Sequence, residues 1–142
     1  MSNYLMTDSD ADVEMVCEVA TGYRIIDRIK EGLPFAELEK LQEYLAIPME
    51  QLAEKLSISK ATLQRRKQSG KLDTNQSDRL VRYQRLIQQA KEALEGAENA
   101  RIWLKSPQVG LGGATPLDFA DTEYGAREVE NLLGRIAYGV YS

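Results

Sequence analysis

The sequence contains no histidine. That absence removes the commonest general base, the commonest transition-metal ligand and every Ser/His/Asp or Cys/His arrangement for nucleophilic catalysis. Carboxylates alone can run an enzyme, so a catalytic reading would need a convincing carboxylate pair. A single cysteine, Cys17, excludes an internal disulfide framework and fits a reducing cytosol. No apolar run approaches the roughly 20 residues of a membrane span. The start MSNYLMTDSDAD is acidic and lacks both the basic residues and the apolar core of a signal peptide. No stretch alternates apolar and polar residues for long enough to argue a strand. These absences predict an all-α, cytoplasmic chain with no membrane contact, no cofactor and no bound metal.

What is present begins with size: 142 residues, 43% of them apolar, enough for one ordinary domain or two very small ones. Charge is unevenly distributed. From Lys55 to Lys91 stand ten basic residues against two acidic ones, a local balance of +8, while the remainder carries 8 basic and 20 acidic groups. An overall charge of −4 therefore hides a basic island between acidic flanks. Such an island is the electrostatic footprint of nucleic-acid contact, because each neutralised phosphate releases condensed counterions. A solvated helix face is the plainer alternative.

Apolar periodicity supplies the helices. Residues 1–20 are acidic and without periodicity, and are expected to be frayed. Ile25, Ile26, Ile29 and Leu33 recur at helical spacing, Pro34 sits where a first turn tolerates it, and Leu38, Leu41 and Leu45 continue the pattern. Pro48 opens a third helix with Leu52, Ala53 and Leu56 inward. Further on, Asn75 or Ser77 is the expected cap of a helix whose Leu80, Tyr83, Ile87, Ala90 and Leu94 form a heptad-like seam. That seam suits either a core or a dimer stripe, and Gly96 ends it.

Residues 52–70 read LAEKLSISKATLQRRKQSG. A helix ending at Ser57 and another capped by Ser59 would meet across a three-residue turn, and the stretch resembles a helix-turn-helix of the Xre and Cro type. Ala53, Ser57 and Leu63 fall where that family places a small residue, a turn residue and a core residue. Ser57 stands in place of the usual glycine, and Arg66 in a place more often apolar. With Leu63 inward, Ala61, Thr62, Gln64, Arg65 and Gln68 turn outward, where Arg or Gln can pair with base edges. Ser59 as the cap and Lys60, Lys67, Lys71 and Arg79 as phosphate contacts complete the candidate DNA-binding set.

The stretch WLKSPQVGLGGATPLDF carries three glycines in four positions. It is not a phosphate loop: no strand precedes it, the sixth place holds Thr115 where a dinucleotide fingerprint has glycine, and no lysine follows as a P-loop requires. Thr115 as N-cap, Pro116 at the first helical position and Asp118 at the third form a capping pattern instead. Asp118, Asp121 and Glu123 are likewise helix-start residues favoured by the dipole rather than metal ligands. A last helix from about Glu123 puts Val129, Leu132, Leu133, Ile136 and Val140 on one face. Trp103, Phe119, Tyr124, Tyr138 and Tyr141 lie in this same region, some for the core and some as interface anchors. Whether Tyr138 and Tyr141 belong to core or interface is left open by spacing alone.

The run from Ala100 to Ser142 resembles the C-terminal toxin-binding domain shared by the Xre, ParS and MbcA antitoxins of bacterial type II toxin–antitoxin systems. That family repeats A-x-x-W-L, a proline, L-G-G-x-x-P-L-D, T-x-x-G and L-x-R-I-x-x-G. All are present, at Ala100, Trp103, Leu104, Pro107, Leu111, Gly112, Gly113, Pro116, Leu117, Asp118, Thr122, Gly125, Leu133, Arg135, Ile136 and Gly139. The resemblance covers about residues 22–142. It implies a RES-domain toxin that consumes NAD as partner, operator DNA as second ligand, and a homodimer that reads paired half-sites. It further implies that the antitoxin covers the toxin's active-site entrance. On this chain that role falls to Leu111, Gly112, Gly113, Pro116, Asp118, Arg135, Tyr138, Tyr141 and Ser142.

The expected organisation is an acidic start over residues 1–20, a helix-turn-helix domain over 21–95 and a toxin-binding domain over 96–142. A stand-alone helix-turn-helix regulator with a small-molecule pocket is the alternative, and an enzyme is the third class.

Overall fold

A computed structural model of the chain describes residues 23–139. The expectations for residues 1–20, Cys17, Val140, Tyr141 and Ser142 lie outside the described residues. Among those described there are eight α-helices, one 3-10 turn and no strand. The helices are α1 (Tyr23–Glu31), α2 (Phe35–Leu45), α3 (Met49–Lys55), α4 (Lys60–Ser69) and α5 (Thr74–Leu94). Then follow α6 (Ala97–Leu104), the 3-10 turn Val109–Leu111, α7 (Pro116–Phe119) and α8 (Glu123–Ala137). None of them is long and apolar enough to cross a membrane.

The chain divides into two compact units between Gln84 and Arg85, inside α5. In the first, Leu33, Leu38, Leu41, Leu45, Leu52, Leu56, Leu80 and Tyr83 are fully enclosed. Burying each such side chain contributes about 1.5–3 kcal/mol. Pro34 and Pro48 each occupy the N-cap of the following helix with extended backbone, one position earlier than a first-turn proline would stand. The pattern over α1 is only partly inward, because Ile25 and Ile29 are half-buried while Ile26 is exposed. Neighbours in sequence point about 100° apart on a helix, and on α1 the inward arc takes 25 and 29, four apart, and leaves 26 outside it.

Two long-range ties fix how the elements of this unit meet. The N–H of Phe35 donates to the Gly70 carbonyl and that of Leu72 to the Leu33 carbonyl, both at 2.9 Å, forming an isolated antiparallel bridge. Ser77, fully buried, accepts the Leu33 N–H at 2.8 Å. The cap of α5 is therefore neither Asn75 nor Ser77. Asp73 performs it: its carboxylate accepts the Gln76 N–H at 2.7 Å while the Gln76 side chain accepts the Asp73 N–H at 2.9 Å. This reciprocal box satisfies two otherwise orphaned donors. Of the seam, Leu80, Tyr83, Ile87 and Ala90 are buried within the chain and Leu94 is half-buried, which assigns the first four to the core and not to a dimer stripe.

The second unit is built on the end of α5 and on α6 to α8. Ala100, Leu104, Leu111, Leu117, Val129, Leu132 and Leu133 enclose its core. Gln89 donates to the Glu130 carbonyl at 3.1 Å and Arg85 pairs with the Glu130 carboxylate at 3.5 Å, tying α5 to α8. At the start of α8, Thr122 accepts the Gly125 N–H at 3.0 Å, and a Cβ on Gly125 would lie 1.7 Å from the Phe119 carbonyl oxygen. The T-x-x-G spacing is thus a cap followed by a close approach of two backbones that admits no side chain.

Candidate DNA-binding and partner-binding surfaces

The turn between α3 and α4 is closed by backbone geometry. Ser57 N–H donates to the Glu54 carbonyl at 3.0 Å and Ile58 N–H to the Ala53 carbonyl at 2.8 Å, the paired bonds of a Schellman motif. That motif places its middle residue in the left-handed region, and Ser57 has φ +58°. The small residue Ala53 is buried on this turn as expected. Next, Ser59 caps α4: its hydroxyl accepts the Thr62 N–H at 3.2 Å and donates to Thr62 Oγ1, which also accepts from Arg65 at 3.1 Å. Gly70, at φ +83°, ends the helix.

No residue of α4 is fully buried. Thr62, Leu63 and Arg66 are half-buried, while Lys60, Ala61, Gln64, Arg65, Lys67 and Gln68 are exposed, as is Lys71 just beyond. The candidate DNA-reading side chains thus share one polar helix that is held at its two ends and by Leu63. Arg66, the residue at the position more often apolar, reaches Asp73 at 3.8 Å. Arg79 stands apart from the group: it is half-buried and donates to the Leu56 carbonyl at 3.3 Å, closing the C-terminal end of α3. Arg85 is committed to Glu130 and Lys91 is buried. The basic island is consequently not one surface. Lys60, Arg65, Lys67 and Lys71 present charge at the recognition helix, and Arg66, Arg79 and Arg85 make contacts within the fold.

In the second unit the glycine stretch forms a compact loop around Gln108. Its N–H donates to the Ala114 carbonyl at 3.0 Å, its carbonyl accepts Gly113 at 2.9 Å and Leu111 at 3.0 Å, and its side chain donates to the Trp103 and Ser106 carbonyls. Gly112 and Gly113 turn the chain at φ +69° and +90°. The N–H groups of Leu111, Gly112, Gly113 and Ala114 all bond loop carbonyls, so they form no cradle for a phosphate. Thr115 caps α7 through the Asp118 N–H at 3.2 Å, with Pro116 at the first helical position.

The candidate partner-binding residues separate into two groups. Leu111 and Pro116 are buried and hold the loop in shape, whereas Gly112, Gly113, Asp118, Arg135 and Tyr138 are exposed. Tyr138 is 85% exposed and Tyr124 77%, which places both on the outside of the unit. Trp103 and Phe119 are half-buried. Val109 at 91% and Ile102 at 56% join this exposed apolar and aromatic set, and neither was singled out from sequence. The signal for Ile102 was present: it lies about 200° around α6 from Ala100 and from Leu104, which both point inward.

Comparison with known proteins bears on both surfaces. The family described as the antitoxin Xre-like helix-turn-helix domain matches residues 24–85, and that described as the antitoxin Xre/MbcA/ParS C-terminal toxin-binding domain matches residues 89–139. The antitoxin Xre of Photorhabdus laumondii is 34% identical over 116 residues, 80% of this chain and 78% of the relative. The chain belongs to the Xre antitoxin family. Another relative of this antitoxin is the antitoxin Xre of Yersinia enterocolitica, 29% identical across 91% of this chain and 88% of the relative. The Prs ADP-ribosylating antitoxin of a Sphingobium strain is 25% identical across 82% of each. The chain is therefore an antitoxin with a DNA-binding helix-turn-helix and a toxin-binding domain.

Proposed function

We propose that this antitoxin neutralises a cognate RES-domain toxin that consumes NAD, by covering the entrance to the toxin's active site. The loop over residues 111–118 and the tail over residues 135–142 supply the cover. The same chain represses its own operon through α4, as a homodimer on paired half-sites, in the cytoplasm and without catalysis of its own. Residues 21–95 serve DNA and residues 96–142 serve the toxin in this scheme.

The observation that carries the reading is the coexistence of two unlike exposed surfaces. One is a mostly polar, end-capped recognition helix bearing Lys60, Arg65 and Lys67; the other displays Val109, Tyr124 and Tyr138 to solvent. Exposed aromatics of this kind are anchors for a protein partner, and an exposed basic helix suits a polyanion. One relative is named an ADP-ribosylating antitoxin, which links that relative's system to NAD, the donor in ADP-ribose transfer. The test is a pull-down from the host with the tag at the N-terminus, leaving the C-terminal end free. A stoichiometric protein whose NAD consumption is silent in the complex and appears on separation is the expected result. Recovery of DNA with no protein partner would instead leave a stand-alone regulator.

A further inference from the structure

Three polar side chains spaced by three, Ser59, Thr62 and Arg65, follow one another along the start of α4 and are joined by hydrogen bonds. The Ser59 hydroxyl donates to Thr62 Oγ1 at 3.0 Å, and Arg65 Nη2 donates to the same oxygen at 3.1 Å. Residues three apart are neighbours on a helix surface, and their side chains lean toward the helix N-terminus. The Arg65 guanidinium is therefore drawn back along α4 toward its first turn, although Arg65 is exposed. Its neighbours on that face are not held in this way. Among the described residues, no side-chain hydrogen bond or ion pair engages Lys60, Gln64, Lys67 or Gln68.

The tether leaves Arg65 its capacity for recognition. A guanidinium carries five N–H donors in a planar fork, two of them on Nη2. Whichever of those two Thr62 accepts, one two-pronged edge stays free, either the Nη1/Nη2 end or the Nε/Nη2 side. Such an edge matches the O6 and N7 acceptors that guanine presents in the major groove. The N-terminal residues of a recognition helix are the ones that reach base edges, and Thr62 draws the guanidinium toward that end. An exposed arginine otherwise spreads over many rotamers, and fixing it on binding costs entropy. A tethered guanidinium has given up part of that freedom before DNA arrives.

We propose that Thr62 is a positioning residue for DNA reading: its Oγ1 holds the Arg65 guanidinium in place to select guanine, so that Thr62 acts through Arg65. The selection of guanine rests on the DNA-binding role of α4; the tether between the two side chains does not. The cap of α4 is separate from both. Its bond to Ser59 Oγ comes from the Thr62 backbone N–H, which a residue without a hydroxyl also supplies.

Two substitutions divide the roles, because Thr62→Val removes the oxygen while keeping shape and cap, and Thr62→Ser keeps the oxygen. In the free full-length chain, nitrogen-15 relaxation at Arg65 Nε is expected to show restricted motion in the parent and in Thr62→Ser, and a free side chain in Thr62→Val. Equal mobility in all three overturns the tether. Sequence reading is measured by selecting bound duplexes from a randomised library with each full-length protein. The parent is expected to enrich a guanine that Arg65→Ala no longer selects. Thr62→Val should lower the preference at that position about threefold or more, and Thr62→Ser should retain it. A bidentate arginine–guanine pair is worth about 5- to 150-fold in discrimination, so the expected loss is a part of that contact. If Thr62→Val weakens binding to all duplexes alike and leaves the guanine preference intact, the positioning role is overturned, as it is by a preference that Arg65→Ala leaves unchanged. If the parent enriches no sequence, the reading role of α4 fails and guanine selection with it, while the relaxation result still decides the tether.

Discussion

Ser57 is a serine held where glycine belongs. Its φ of +58° closes the Schellman turn between α3 and α4, and a side chain in that region costs about 1 kcal/mol relative to glycine. Ser57→Gly is therefore expected to stabilise the first unit by about 1 kcal/mol, read as a rise in melting temperature of roughly 4–8 °C. Ser57→Val, β-branched, should move it the other way. Gly125 is the opposite case. A methyl group there collides with the Phe119 carbonyl, and Gly125→Ala is expected to cost about 3 kcal/mol and to loosen the second unit. Toxin binding measured by calorimetry should fall with the melting temperature, while duplex binding by the first unit should not.

Among the elements, α4 is the most exposed to loss of a single contact. Because none of its side chains is fully buried, its helicity depends on the Ser59 cap and the Gly70 stop more than on packing. Ser59→Ala removes about 1 kcal/mol of capping. The expected signature is faster hydrogen exchange at the amides of α4 and weaker duplex binding, with a smaller change in the global melting temperature; equal exchange in α4 and α2 would contradict it. The cap of α5 behaves otherwise. Asp73 both boxes with Gln76 and receives Arg66, and the first turns of α5 bring Ser77, Leu80 and Tyr83 into the core of the first unit, so Asp73→Ala should lower the melting temperature of that unit.

At the scale of the whole molecule the two surfaces lie on different compact units and should be separable. Arg65→Ala is expected to weaken operator binding and leave neutralisation intact, whereas deleting residues 137–142 should do the reverse. A folded variant that lost both activities from either change would contradict separability. Lys67→Ala is expected to weaken binding uniformly across sequences and to reduce the slope of log affinity against log salt by about 1. Arg79→Ala should instead act chiefly on stability, because its guanidinium closes the end of α3.

Helical periodicity, helix caps and family motifs are local in sequence, and what depends on them was readable there. The all-α class, the Ser59 and Thr115 caps and the core stripe of α8 follow from residues three or four apart. The exposed placement of Gln64, Arg65 and Gln68 followed from the same geometry once Leu63 was assigned inward. Other features depend on residues far apart, and only tertiary structure decided them. Ser77 looked like a helix cap until Leu33, 44 positions away, claimed its hydroxyl. Arg79 looked like a phosphate contact by charge alone, and the fold set it against the Leu56 carbonyl. The same folding assigned the α5 seam to the core and turned Tyr124 and Tyr138 outward. A side chain's type and period state what environments it tolerates; which environment it receives is set by the elements the chain brings against it.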